Sequence, residues 1–351
     1  MPAPGLSLGV ASGLGAAVLF GVSTPFAKLL VPSSGPFMLA GLLYLGAGVG
    51  LTLLSPFRRA GQEAPLRRGD LPTLAAMVVA GGIAGPLLLL VGLARLPGGE
   101  ASLLLNLEAP LTIGLAVLVF GESMARREVL AAAAVVLGGV LLVVGPGEGG
   151  PQAVGVLAVA GACLAWSIDN NLSQRLSLRD PLAVARVKAL VAGSVNVALA
   201  LAIGDRFPAP GPLTAALATG FFGYGVSIVL HLLALRHVGT ARQAAYFATA
   251  PFIGAVAAVP ILGEGLSMQE IGSGLIMAVG VAVLVRARHA HRHQHDGMEH
   301  EHAHVRDAHH DHDHGHGEGI PPEPHAHPHR HAPMVHDHAH QPDLHHRHRH
   351  G

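Results

Sequence analysis

Ten stretches of roughly twenty mainly apolar residues govern what this chain can fold into, because crossing the hydrocarbon core of a bilayer takes about 20 such residues in a helix. Residues 1–27, 29–57 and 71–94 hold no charged side chain at all. Further stretches run over about 101–121, 127–145, 152–172, 183–204, 213–235, 243–263 and 269–286. The expectation is an all-α integral membrane protein of ten transmembrane helices. Composition agrees: 13% of residues are charged, against about 25% in a soluble domain. The 46 glycines suit helices that pack in lipid by letting backbones approach. The single cysteine, Cys163, excludes an internal disulfide framework and a cysteine-based zinc motif.

Basic residues set an orientation. With the N-terminus inside, Arg58, Arg59, Arg67, Arg68, Arg126, Arg127, Arg175, Arg179, Arg186, Lys188, Arg236, Arg242 and Arg286 fall on the cytoplasmic side, and Lys28, Arg95 and Arg206 outside. Ten spans then return the C-terminus to the cytoplasm. The first stretch lacks a positively charged leading region, so it reads as structure rather than a signal peptide.

The chain also repeats itself. Residues 95–144 align with 236–285: Arg95 with Arg236, Gly98 with Gly239, and Ala109-Pro110 with Ala250-Pro251. After one extra residue in the second copy, Gly121-Glu122 aligns with Gly263-Glu264, Glu128 with Glu270, and Gly138 with Gly280. Phe20-Gly21 and Trp166-Ser167 correspond more weakly. Five spans per half is an odd number, so the halves are expected upside down relative to each other, the inverted repeat of many secondary transporters.

The AP…GE segment that ends the fourth and ninth stretches, each followed by a glycine-containing apolar helix, resembles the EamA domain. Two such domains in tandem resemble the ten-span drug/metabolite transporters over roughly residues 8–286. The resemblance implies a first repeat over 8–145 and a second over 152–286. It implies proton- or exchange-coupled or facilitated movement of amino acids, metabolites or drugs, often outward, with no cofactor required. It also implies a plasma (inner) membrane location. It names neither substrate nor oligomeric state, and the histidine-rich tail lies outside its pattern.

Polar side chains within the stretches are the site candidates, since intramembrane ionisable groups are costly. Glu108 lies about eight residues into the fourth stretch, roughly 12 Å deep. Asn106 is near in sequence, but two residues apart on a helix face different directions. The repeat aligns the uncharged Thr249 with Glu108, so the fold does not require a carboxylate there. Glu108 reads either as a proton carrier or as a carboxylate that pairs with a hydroxyl or lines a water pocket. Trp166, Ser167, Asp169, Asn170 and Asn171 crowd the end of the sixth stretch. They read as hydrogen-bonding groups for a polar solute or as interfacial residues with a belt tryptophan. In the first stretch the matching Ser23-Thr24-Pro25 carries a proline that can loosen the helix for gating. His231 reads as a proton relay or a packed interfacial residue. Gln243 and Tyr246 open the ninth stretch and are expected to face the cavity. Glu122 and Glu264 read as structural, each near the N-terminus of the next helix, where negative charge is favoured. Gly9 and Gly13 read as packing points.

From about residue 287 the character changes. Of the 25 histidines, 23 lie between His289 and His350. This stretch has too little apolar surface to bury a core, so residues 287–351 are expected to be a disordered cytoplasmic tail. Its imidazoles suit Ni, Zn, Co or Cu, and His289, His291, His293, His295, His309, His310, His312, His314, His325, His327, His329 and His331 are the candidate ligands. The tail reads as a metal buffer or sensor, as a pH-responsive segment, or as an appendage without a transport role.

Other classes are disfavoured. No HExxH within the ten stretches, no GxSxG set and no convincing aspartate pair supports an enzyme, and no Walker motif supports ATP-driven pumping. The basic residues are topology signals, so no nucleic-acid partner is implied; the expected partners are a small solute, the lipid bilayer and divalent metal ions. A membrane-anchored metal store or a metal-linked exporter is the main alternative.

Overall fold

The computed structural model describes residues 4–55, 64–120, 126–144, 151–176, 179–231, 233–234 and 246–286. In the tail it describes the backbone of 289–295, 298–304, 325–331 and 334–340. Up to residue 286 the described segments are helical. In order they are α1 (Pro4–Ser34), α2 (Pro36–Leu54), α3 (Leu71–Met77), α4 (Gly85–Leu93), α5 (Gly98–Leu104), α6 (Glu108–Phe120), α7 (Arg126–Val143), α8 (Pro151–Leu176), α9 (Pro181–Ala202), α10 (Pro210–Gly220), α11 (Ala250–Leu262) and α12 (Met268–Arg286).

Among the described residues six helical runs are long and apolar enough to cross a membrane: Leu8–Ser34, Pro36–Leu54, Arg68–Leu93, Gln152–Ser173, Leu182–Ala202 and Pro210–His231. Ala250–Leu262 and Met268–Leu284 are shorter apolar helices. The fourth expected span is not one helix: α5 and α6 are separated by a 3-10 turn over Leu105–Leu107. Large side chains such as Leu53, Leu130, Leu157 and Leu275 are exposed, as expected of a surface that meets lipid rather than water.

Local chemistry places the helix ends. Pro36, Pro181 and Pro210 sit at first helical positions, where a missing N–H costs nothing. Asp180 Oδ1 accepts from Leu182 N at 3.0 Å and caps α9. Gly263, at φ 69°, ends α11 in the left-handed region that favours glycine.

Two segments change register to π-helix: Val78–Ala84, between α3 and α4, and Phe221–Val226, directly after α10. In the first, Gly85 N reaches back to Ala80 O. The next donor in that register would be Pro86, which has no N–H. The Gly81 carbonyl is thereby freed for partners from other helices. The two π segments fall in the third and eighth expected spans, at corresponding places in the sequence repeat.

Packing follows the repeat. α1 packs on α11, on α10 and on the second π segment; α8 packs on α6, on α3 and α4, and on the first π segment. α2 packs on the second π segment and α9 on the first, while α2 pairs with α9 and α7 with α12. Apart from that of α8 with α4, each of these contacts has a counterpart in the other half. Glycines make the closest approaches. A Cβ on Gly46 would overlap the Leu217 carbonyl, and one on Gly220 would overlap that of Leu43; small residues let membrane helices cross this closely.

In the tail, four seven-residue strands are described: β1 (His289–His295), β2 (Met298–His304), β3 (His325–His331) and β4 (Met334–His340). β1 pairs antiparallel with β4, and β2 with β3. Their alternation of histidine with other residues has the period of two that suits a strand.

Candidate substrate site

The polar residues that converge inside the bundle hang mainly from α8. One turn apart, Cys163 and Ser167 face the break between α5 and α6. Cys163 Sγ lies 3.7 Å from Leu104 O and 3.9 Å from Leu105 O. Ser167 Oγ donates to Cys163 O at 2.7 Å and to Glu108 O at 3.1 Å, and accepts from Thr112 Oγ1 at 3.1 Å. Asn171 Nδ2 donates to Thr112 O at 3.2 Å and to Ser167 O at 2.8 Å. The next position round the helix reaches the acid: Asn170 Nδ2 donates to Glu108 Oε1 at 2.7 Å. Glu108 is half-buried and Asn170 exposed.

The opposite side of α8 meets the first π segment. Trp166 Nε1 donates to Gly81 O at 3.1 Å, and the Tyr44 hydroxyl donates to the same oxygen at 2.7 Å. Asn196 Nδ2, from α9, donates to Gly82 O at 3.0 Å. Asp169 fills the space a Cβ on Gly81 would need and forms an ion pair with Lys188 of α9. Glu108 lies within electrostatic reach of both Asp169 and Lys188. Among the described residues four buried side-chain atoms have no hydrogen-bond partner: Ser102 Oγ, Asp169 Oδ1, Asn171 Oδ1 and Asn196 Oδ1.

Aromatic rings close the site toward α1 and α10. Phe20 lies 6.5 Å from Trp166, 5.7 Å from Tyr224 and 5.3 Å from Phe247, and Tyr44 lies 5.6 Å from Tyr224. Such offset ring contacts are rigid, and they concentrate the only tryptophan and two of the three tyrosines at one place.

The structure therefore brings Glu108, Trp166, Asp169 and Asn170 together. Asn106 is not among them. It is buried, donates to Leu103 O at 2.9 Å and points to Met277 Sδ at 3.9 Å, a packing position against α12. His231 stands edge-on to Phe247 at 5.2 Å, at the rim of the aromatic cluster. Tyr246 is half-buried and its carbonyl accepts from Thr249 Oγ1 at 2.5 Å. Gln243 and Glu122 lie outside the described residues, as do His309, His310, His312 and His314. The other candidate metal ligands lie in the strands, where only the backbone is described. Among the described residues no group of three or more potential ligands is placed to hold a metal ion.

Two residues carry roles the sequence reading did not give them. Lys188, counted there as a cytoplasmic orientation signal, reaches inward to Asp169. Glu264 is structural, but it does not serve the helix that follows it: Glu264 Oε2 accepts from Gly98 N at 2.6 Å and Gly99 N at 3.2 Å, capping α5 of the other half. Its Oε1 lies 3.8 Å from Lys28 Nζ, which donates to Leu93 O and Leu96 O.

Helices this apolar, broken at matched points around buried polar groups, define a multi-pass membrane protein of the transporter kind. The chain belongs to the EamA-like transporter family, whose signature matches residues 7–144 and again 153–286. It is similar to an uncharacterized transporter of Methanothermobacter thermautotrophicus, with 30% identity over 286 residues covering 76% of this chain and 82% of the relative. It is also similar to YedA, an uncharacterized inner membrane transporter of Escherichia coli K12, at 25% identity over 264 residues, covering 72% of this chain and 82% of YedA. A solved crystal structure superposes with a TM-score of 0.59 at 20% identity, covering 79% of this chain and 96% of the other, and so shares the fold.

Proposed function

We propose that this protein is a secondary transporter that moves a small metabolite, amino acid or drug-like solute, in the outward direction, by alternating access between two inverted five-helix repeats. The observation that carries the reading is the recurrence of helix breaks at matched places. There is a π segment in the third and eighth spans, and an interruption before Ala109-Pro110 and before Ala250-Pro251. Discontinuous helices at the repeat interface are where transporters of this architecture bind their solutes. The interior polar groups of α6, α8 and α9 stand at the breaks of the first half. Glu108, held by one hydrogen bond from Asn170, is suited to exchange a proton or a solute contact between states.

Both termini are placed in the cytoplasm and the protein in the inner membrane, supported by the distribution of basic residues and by the kinship to YedA. The tail is a second, separable device. Histidine positions stand opposite histidine positions along β1 and β4, as at His289 and His340, His291 and His338, and His293 and His336. This favours capture of Ni, Zn, Co or Cu near the cytoplasmic mouth, and leaves a metal-linked exporter as the competing reading.

The test is flux into proteoliposomes that hold the purified chain, with radiolabelled amino acids, small organic acids and organic cations, and separately with the four metals. The expected result is saturable flux of an organic solute, lowered at least about tenfold by Glu108→Gln. Flux of metals alone would replace this reading with the metal-linked one, and no flux at all would overturn both.

A further inference from the structure

Two carboxylates of this protein, Glu264 and Asp70, have both oxygens engaged. In Glu264 one meets two backbone N–H groups and the other lies beside Lys28. Asp70 likewise uses both: Oδ2 accepts from Arg67 N and Arg179 Nε, each at 2.8 Å, and Oδ1 lies 3.4 Å from Arg179 Nη2. Asp169 does not fit this pattern. One oxygen meets Lys188; the other is buried with no partner.

A buried ion pair rarely repays the cost of taking two charges out of water, and it does so least when lone pairs are left unsatisfied. The Asp169–Lys188 pair, with side chains only 8% and 16% exposed, is thus a poor structural fastening. It is well placed for something else, because α8 and α9 meet there against the π segment, beside Glu108. Glu108 is already occupied by Asn170, which leaves Lys188 as the cation of this cluster with a single-point partner.

We propose that Lys188 is the anchor for a carboxylate group on the transported solute, and that Asp169 is a built-in competitor that holds the lysine between substrates. The proposal rests on the transporter reading above and gives its site a polarity. An arriving carboxylate takes over Lys188 through charge-assisted hydrogen bonds and releases Asp169. Asp169 occupies the space beside Gly81, whose carbonyl is held by Trp166 and Tyr44. Its departure therefore frees the π segment on that side, so that occupancy of the lysine and the shape of the third span change together.

Trp166, the one tryptophan of the chain, shares the Gly81 contact and reports on it by its fluorescence. The full-length protein in nanodiscs is titrated with butyrate, and with butyramide and butylamine as neutral and cationic analogues of the same size. Butyrate is expected to give a saturable change and the analogues none. Asp169→Asn removes the competitor and is expected to tighten butyrate binding about tenfold, since less of the free protein is held in a non-binding state. Lys188→Gln is expected to abolish saturation. The Asp169→Asn/Lys188→Gln double variant, which leaves no unpaired charge, is expected to fold and still not respond. The opposite signs of the two single variants separate this role from a structural pair, whose loss from either side weakens binding alike. No response to butyrate, an equal response to butylamine, or weaker binding in Asp169→Asn overturns the proposal. Flux that persists while this titration fails removes only the anchor; a titration that succeeds without flux in proteoliposomes removes the transport reading instead.

Discussion

Two contacts in this molecule have the same geometry and opposite chemistry. Where α1 meets α11 and the second π segment, Gly21 lies against Ala250 O and Gly254 N, and Ser23 fills the Cβ space of Gly223. Where α8 meets α6 and the first π segment, Ser167 bonds Glu108 O and Thr112, and Asp169 fills the Cβ space of Gly81. The pairs correspond through the repeat to within one residue. One contact is closed by glycine, alanine and serine, with the unpartnered Ser102 Oγ beside Gly254; the other carries an acid, an ion pair and three unpartnered acceptors. The same close approach occurs in both halves, and the charged side chains stand on one copy. The polar one bears the cost of buried charge, which is expected only where a solute repays it.

Substitutions can break that contrast, and the largest effect belongs to the charged side. Lys188→Gln alone leaves Asp169 buried and unpaired and is expected to cost about 3–5 kcal/mol of stability. Adding Asp169→Asn should recover most of that loss, read as the melting temperature in one detergent. If the single variant melts like the wild type, the pair is not buried charge and the contrast fails. Glu264→Gln comes next. It weakens the charge-assisted cap on α5 and removes the carboxylate paired with Lys28, for about 1–3 kcal/mol. Because Glu264 is saturated and remote from Glu108, flux per folded molecule should stay the same. Gly21→Ser writes the polar copy's residue into the small one. Its Cβ meets backbone, which cannot yield as a flexible side chain can, so it should destabilise by about 1–3 kcal/mol and bring no new solute specificity. The smallest effect is expected from truncation after Arg288: flux of the organic solute unchanged, with loss only of metal binding measured by calorimetry.

Much of this was legible in the sequence, for physical reasons that differ by residue. The long apolar stretches follow from the length a bilayer demands, and the duplication from Ala109-Pro110 and Ala250-Pro251. Glu108, Trp166, Asp169 and Asn170 were visible because polar groups inside apolar runs have few ordinary uses. Lys188 was misread because a lysine near a span end looks the same whether its chain snorkels to water or folds inward. The partners of Glu264 lie 165 and 166 residues away, beyond any local pattern. Tyr44, Asn196 and Tyr224 were missed as single polar residues in apolar stretches. Asn196 had a signal, as the one amide of the seventh span. The first π segment had one too: Gly81-Gly82 followed by Pro86 predicts a carbonyl that must look outside its own helix. The second has no such proline, and its register follows from packing that the sequence does not spell out.

The central claim is that the polar contact opens to each face of the membrane in turn. Asn170→Cys tests it most directly, since the one native cysteine, Cys163, is buried. In oriented vesicles, a membrane-impermeant maleimide is applied to one face or the other, with and without a cross-link fixing Lys28→Cys to Glu264→Cys. The account predicts labelling from both faces without the cross-link, and from only one face once α1 is tied to the α11–α12 junction. Labelling from a single face in every condition, indifferent to the cross-link, would contradict it.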